Sequence, residues 1–388
     1  MASLAATMTD RDPSLPPSGT ALAAPVPRLN TLPFRRLFLG RPPEDGRVFY
    51  HNIWFRGHNN VLAEGLLPRL ARVDCYLATC SDRRVLRAAQ FRALRAAWPL
   101  TNRVVLARAA KRYRFMLTHS FTQVPGFAGR VVAQLDDPQF TTEEVAHLSL
   151  PNVAAVVVTA DAAVQRFRDM GLAKPLHVFP LGSEVSSLSE ALVRAVADRH
   201  RRPGEVIVGY MAATLRLPGD RYGSDPLFNI SHLLDVWDDI HAHVPEARLW
   251  LIGETSDQVE RRAAARSDIV SFGRIPRDRV LPYVANFDVA LYPRVSDGGV
   301  RSAKGADYLG AGVPTVAYDY RVADDLREAG AAVLVKDAKE MAAAVTRLVR
   351  HADERAALAA AARRAGDQRD WRVLAGRFDD EVLGHYFA

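Results

Sequence analysis

The sequence predicts an α/β fold made of two successive Rossmann-like, doubly wound domains, each a parallel sheet with helices on both faces. Three observations carry this expectation. Short, nearly continuous Val/Leu/Ile/Phe runs alternate with helix-compatible stretches, the pattern of strands buried on both faces. The same rhythm then repeats beyond a charged connector that runs from Glu184 to Glu205. Finally, 388 residues are enough for two domains of ordinary size, each burying its own core.

Taken in order, residues 1–40 are rich in Ala, Pro, Ser and Thr without helical or strand period, and read as a disordered tail. Strands of the first domain, residues 41–183, are expected at Arg47–Ile53, Val73–Leu77, Phe115–Thr118, Val131–Leu135, Val153–Thr159 and Leu176–Phe179. Residues 184–204 read as the linker. The second domain, residues 205–368, repeats the pattern at Val206–Met211, Arg248–Ile252, Ile269–Phe272, Asp288–Leu291, Thr315–Ala317 and Ala332–Val335. Residues 369–388 form a last helix, with Leu374, Phe378, Val382 and Tyr386 spaced by four.

Composition narrows the function. Hydrophobic content of 48% and charged content of 24% are those of a soluble globular protein. No apolar run reaches about 18 residues, and Met1–Pro16 lack the basic start and apolar core of a secretory signal, so a cytoplasmic location is the expectation. Cys75 and Cys80 fit neither a zinc pair nor a redox C-x-x-C, and read as buried thiols. Of 11 histidines only His241 and His243 are close in sequence, with no further ligand at metal spacing, so no metal site is expected. The net charge of +7 favours an acidic partner, such as a nucleotide diphosphate or anionic lipid. No basic run interleaved with aromatics marks a nucleic-acid module, and no G-x-G-x-x-G follows a first strand.

The stretch from Tyr292 to Ala317 concentrates the chemistry. An apolar strand empties into a glycine-bearing turn, then a short helix that Gly312-Val313-Pro314 ends. A helix starting at a sheet's carboxyl edge aims unpaired N–H groups and a partial positive charge into the crevice, where a phosphate fits. Gly298 and Gly299 let an anion approach the backbone, Ser302 is placed to cap the helix, and Arg301 and Lys304 offer mobile positive charge. Asp307, further along the helix, is placed to accept two ribose hydroxyls.

The run SAKGADYLGAGVPTVA resembles the donor-site signature of GT-B glycosyltransferases, especially the family 4 (group 1) type. That resemblance implies two domains facing each other across a cleft, a nucleotide-diphosphate sugar as co-substrate, no cofactor and no metal. It gives Asp307 the ribose-binding role. A second acidic position, eight residues earlier near the donor sugar, is Gly299 here. The loop Gly209–Arg216 and its continuation to Asp225 resemble the diphosphate loop, with Arg216 and Arg221 as cations and the customary lysine absent. Gly273-Arg274-Ile275 resembles the loop that contacts the nucleobase through backbone groups, and Pro180-Leu181-Gly182-Ser183-Glu184 resembles the end of the first domain.

In such an enzyme the first domain presents the acceptor at its strand ends. Arg56-Gly57-His58-Asn59-Asn60 follows the first strand, which makes His58, Asn59 and Asn60 the acceptor candidates; His119 follows the third strand. Asp136 and Asp137 end the fourth, where two carboxylates are costly unless used or capped. This segment resembles the inverting glucuronosyltransferase of xanthan assembly, which implies Asp137 as general base with Asp136 as the alternate. An Asp137 base implies inversion, whereas the family 4 resemblance implies retention. Between Ser81 and Arg112 nine Lys/Arg accompany one acid, with Phe91, Leu94 and Trp98 at helical spacing, a pattern suited to anionic membrane or to packing on the sheet. The expected function is sugar transfer from a nucleotide donor to a hydroxyl acceptor, lipid-linked acceptors included. A nucleotide-sugar epimerase and a non-catalytic binding module are the alternatives.

Overall fold

The computed structural model describes residues 29–52, 65–77, 88–225, 229–296 and 301–387. Its first sheet contains β1 (Val48–Asn52), β2 (Val73–Leu77), β3 (Phe115–Thr118), β4 (Arg130–Leu135), β5 (Val153–Val158) and β6 (Leu176–Val178), in the order β2-β1-β3-β4-β5-β6. The second contains β7 (Val206–Leu215), β8 (Ala247–Thr255), β9 (Ile269–Ser271), β10 (Val289–Tyr292), β11 (Thr315–Tyr318) and β12 (Ala332–Val335), ordered β12-β11-β10-β7-β8-β9. Every neighbouring pair is parallel.

Each sheet is apolar on both faces because successive side chains alternate between two cores. In the second sheet Val208, Leu249, Val289 and Leu291 pack under the helices Ser231–His243 and Ala338–Arg350. Their neighbours Ile207, Trp250, Ala290 and Tyr292 pack on the opposite side with Tyr283 and Tyr308. The first sheet divides likewise. Phe49, Met116, Val131 and Val156 join Val105 and Leu106 of the helix Ala88–Ala110. Tyr50, Cys75, Leu117 and Val132 instead meet Trp371, Leu374, Phe378, Val382 and Tyr386 from the end of the chain.

That last segment is α-helical over Trp371–Arg377 and becomes a π-helix over Phe378–Gly384. A stripe spaced strictly by four drifts about 40° per step around a 3.6-residue helix, and the wider π turn returns it to one face. All four stripe residues are buried. Arg72 Nε meets Asp379 at 2.6 Å, and the His177 ring and the Tyr386 hydroxyl lie 2.6 Å apart.

Strand ends differ from the sequence expectation chiefly in β7 and β8, which run on together, pairing Thr214 with Glu254 and Leu215 with Thr255 past an irregularity after Met211. The expected phosphate loop at Gly209–Arg216 is therefore mostly strand. Two further segments are more ordered than expected. Residues 29–40, read as part of a tail, dock beside β2: Leu32 N donates to Cys75 O at 2.8 Å, Leu37 is fully buried, and Phe34–Leu39 is helical. Within the connector, Glu190–His200 forms a helix that buries Val196 against Ile207 and Trp250. Residues 1–28 and Cys80 lie outside the described residues.

Parallel sheets of this type bind ligands beyond the strands' carboxyl ends, where strand order reverses. In the second sheet that point lies between β7 and β10, and in the first between β1 and β3.

Candidate active site

The helix Ala303–Gly310 follows β10, and its Tyr308 ties it to both strands of the second switch point. Tyr308 Oη accepts a bond from Met211 N at 3.3 Å and donates to Leu291 O at 3.2 Å, so it grips β7 and β10 together. At the other end, a Cβ on Gly310 would meet the Ser183 side chain at 2.9 Å. Only a residue without a side chain lets the helix come so close to the loop after β6.

Asp307 projects from this helix into an almost closed environment, with its side chain 2% exposed. Ser183 Oγ donates to Oδ1 at 2.7 Å, while Arg277 reaches Oδ2 through Nη1 and Oδ1 through Nη2, both at 3.2 Å. Burial pushes this carboxyl's pKa up, and the Arg277 guanidinium and the Ser183 hydroxyl pull against it. Ser183 is itself fixed: its N–H donates to Arg369 O at 2.9 Å, and its carbonyl accepts from Trp371 N at 3.1 Å.

The expected cations divide into paired and unpaired. Arg301 is not mobile: its side chain is 7% exposed, bonded to Asp325 at 2.7 Å and Glu328 at 3.0 Å. Its backbone N–H donates to Thr159 Oγ1, at the end of β5, at 3.3 Å. Lys304 is half-buried instead of mobile, with Nζ 3.0 Å from Tyr210 Oη and over the Tyr210 and Tyr292 rings at 4.1 and 5.5 Å. Burial, then the charge of Arg294, drive its pKa well down. Among the described residues no carboxylate pairs with Lys304 or Arg294, and the Arg294 Nε is buried without an acceptor.

Ser302 occupies the N-cap position, but its side chain makes no capping bond. It lies by the Tyr292 hydroxyl instead. Arg216 does not face the crevice as a free cation, because Glu254 takes it at 2.9 Å where β7 and β8 run on together. Arg221 is exposed, over the Tyr222 ring at 4.8 Å. Gly273 has φ +61° with open space where a side chain would be, and its carbonyl accepts from Gly253 N at 2.8 Å. Gly298 and Gly299 lie outside the described residues.

Across from this helix, Leu135 registers with Val158. Extending that register sets Asp136 beside Thr159, the residue that meets the Arg301 amide, so Asp136 and Asp137 stand one strand away from the donor loop. Asp137 is exposed, which removes the burial cost expected for it, and Asp136 accepts from Gln134 Nε2. His119 Nδ1 lies 2.9 Å from Tyr50 Oη, and burial lowers its pKa to about 4. His51, at the end of β1, is fully buried and equally lowered to about 4; its Nδ1 meets Tyr76 O at 3.0 Å and its Nε2 has no partner. His58, Asn59 and Asn60 lie outside the described residues.

Residues 221–351 match the family described as Glycosyl transferases group 1. Among solved structures, Anabaena Alr3699/HepE in complex with UDP and glucose aligns with a TM-score of 0.65 at 15% identity, over 87% of this chain and 99% of that one. WaaG, a glycosyltransferase involved in lipopolysaccharide biosynthesis, aligns at 0.59 and 12%, over 87% and 100%. The Candida albicans trehalose-6-phosphate phosphatase N-terminal domain aligns at 0.63 and 12%, over 89% and 98%. The fold is GT-B, and within it residues 221–351 resemble the group 1 glycosyl transferases. No curated protein matches the chain's sequence.

The helix Ala303–Gly310 thus lies between the second switch point and the first sheet, which it meets through Thr159, Ser183 and the buried Ala306. Four side chains there escaped the sequence reading: Ser183, Arg277, Arg294 and Tyr210. Ser183 and Arg277 sit within or beside segments that resemble family loops, yet nothing in their spacing joins them to Asp307. Among the described residues no three His, Cys, Asp or Glu side chains gather as metal ligands, and no helix is long and apolar enough to cross a membrane.

Proposed function

We propose that the chain moves a sugar from a nucleoside diphosphate to an acceptor hydroxyl, without a resident metal, with the ribose on Asp307. The observation that carries this is the Asp307 carboxylate itself, buried and preorganised by two donors inside the segment that matches the group 1 family. Arg294, and Lys304 once the phosphate charge offsets its lowered pKa, have no carboxylate partner and neutralise the departing diphosphate beside the helix start. Asp137, exposed one strand from the donor loop, takes the acceptor's proton as the new C–O bond forms and the electron pair of the old one leaves on phosphate. Attack opposite the leaving group gives inversion. Gly273 and its neighbours face the base through backbone groups, and the strand ends of β1 and β3 face the acceptor.

The test is a panel of UDP-, GDP-, ADP- and dTDP-sugars, scored by thermal shift and by hydrolysis. One nucleotide should raise the melting temperature, and Asp307→Ala should abolish that shift. An identical shift in Asp307→Ala removes the ribose assignment, and release of an isomerised nucleotide sugar without acceptor removes transfer.

A lipid-linked acceptor is the class the surface favours. Leu39, Leu100 and Val104 are 79%, 70% and 52% exposed, on two helices joined by Arg108 Nη2 donating to Phe38 O at 2.5 Å. Arg35, Arg36, Arg103 and Lys111 are exposed on the same two segments, and no Asp or Glu occurs between Arg83 and Leu135. Basic residues around apolar tips suit an anionic lipid surface. Trp98 does not join that surface: it turns inward, its ring 4.8 Å from that of His51. The Phe91 and Leu94 side chains lie outside what is described. The protein should float with phosphatidylglycerol vesicles, and Leu100→Ser with Val104→Ser should lower the floated fraction several-fold. Equal flotation of both proteins overturns this surface.

A further inference from the structure

We infer that Arg277 and Ser183 are positioning residues that set the two oxygens of Asp307 for ribose, so that discrimination for the nucleotide's 2′-hydroxyl depends on them. The inference rests on the proposed role of Asp307. Each carboxylate oxygen has two lone-pair directions. Arg277 uses one direction on each oxygen, and Ser183 uses the second on Oδ1, which leaves one direction on Oδ2 uncommitted to either residue, room for one ribose hydroxyl where the sequence predicts two. A carboxylate held by three bonds has one orientation, whereas a carboxylate on a helix with no partners rotates about its Cβ–Cγ bond.

The two holding groups come from opposite sides. Arg277 opens the helix Arg277–Val284, four residues after Gly273 in the loop that faces the base, and keeps a third of its side chain in contact with solvent. Glu184 is near enough to feel the Arg277 charge but is itself bonded to Arg69 at 2.6 Å. Arg277 therefore has Asp307 as its bonded acid and ties the base loop to the ribose position. Ser183 comes from the loop that closes the first sheet, and its backbone is bonded on both sides to residues 369–371. The ribose position is thus assembled from three separate stretches of chain. An acceptor prepared in this way gains when a hydroxyl arrives and is left with an unpaired direction when the hydroxyl is missing.

The measurement is the ratio of dissociation constants for 2′-deoxy and ribo forms of UDP, GDP and ADP, by calorimetry on the full chain. For the nucleotide that binds best, the wild-type ratio should be about tenfold, as for one hydrogen bond to a charged acceptor. Asp307→Asn should bring it close to one. Arg277→Gln should do nearly the same, Arg277→Lys should retain part of it, and Ser183→Ala should lower it by a smaller factor. Should Arg277→Gln not fold, the Lys and Ser183→Ala variants carry the test. A wild-type ratio in Arg277→Gln, or in both Arg277→Lys and Ser183→Ala, while Asp307→Asn has lost it, overturns the inference and leaves the ribose assignment standing. Tighter binding of Arg277→Gln at an unchanged ratio also overturns it, since Arg277 would then be a plug. A wild-type ratio in Asp307→Asn overturns the ribose assignment itself.

Discussion

The two facing edges of this molecule hold their charges differently. On the second sheet, the charged side chains around Asp307 are paired or boxed in: Arg277 on Asp307, Arg301 on Asp325, Arg216 on Glu254, Lys304 between two tyrosines. On the first, the strand ends carry an exposed carboxylate, Asp137, and two imidazoles that burial keeps neutral. A nucleotide diphosphate presents the same ribose and phosphates whichever sugar it carries, and a rigid arrangement of opposite charges suits it. On the proposed function, a hydroxyl acceptor presents no charge, so an exposed proton acceptor at the first edge suffices for it.

The sharpest way to break that contrast is to cut one carboxylate on each side. Asp307→Ala should abolish nucleotide binding, whereas Asp137→Asn should leave it unchanged and lower turnover at saturating donor by about 100-fold or more. Calorimetry and steady-state rates on the same preparations separate the two. Parental turnover in Asp137→Asn would mean that the first edge contributes no base at this residue. Nucleotide binding lost in both would mean the two edges are not divided by function.

How far this contrast was legible in the sequence depends on what each feature needs. The twelve strands of the described residues were readable because burial on both faces writes a continuous apolar run, and the helix around Asp307 was readable because Gly312 and Pro314 end it. The partners of Asp307 were not, since Ser183 and Arg277 lie 124 and 30 residues from it and reach it from the loop after β6 and from another helix of the second domain. Arg301 and Arg216 were misread for the same reason. An arginine's freedom is decided by the acid opposite, and Asp325 and Glu254 reach them from other elements. The run of β7 to Leu215 was hidden because Ala212 and Ala213 carry no strand signal, and pairing with β8 beyond the irregularity decides the matter.

A second comparison concerns acid. His51 and His119 both have folded pKa values near 4, below the ordinary value for histidine. An imidazole whose folded pKa is depressed binds fewer protons than in the unfolded chain. Stability is therefore fully present above about pH 6.5 and is lost as the pH falls towards 4. For the fully buried His51 the loss by pH 5 is about 2 kcal/mol. Denaturant unfolding at pH 7.5 and 5.0 should show a steeper decline in the parent than in His51→Phe. Equal declines would mean that His51 is charged in the folded protein.

The last effect concerns the donor side's own scaffold, and it tests whether that edge is rigid through packing or through polar ties. Tyr308 is fully buried and its hydroxyl joins the Met211 amide to the Leu291 carbonyl, one on each side of the switch point. Tyr308→Phe keeps the ring, and so the contacts with Phe287 and Tyr292 at centroid distances of 6.4 and 6.5 Å, but leaves a buried donor and acceptor to find other partners. The cost should be about 1–3 kcal/mol in unfolding free energy. Nucleotide affinity should fall as well, because the hydroxyl is what fixes the height of the helix bearing Asp307 over β7 and β10. Lost stability with unchanged affinity would show that Asp307 is placed by Ser183 and Arg277 alone, whereas lost affinity at unchanged stability would make the hydroxyl a guide for the helix with no share in holding the fold.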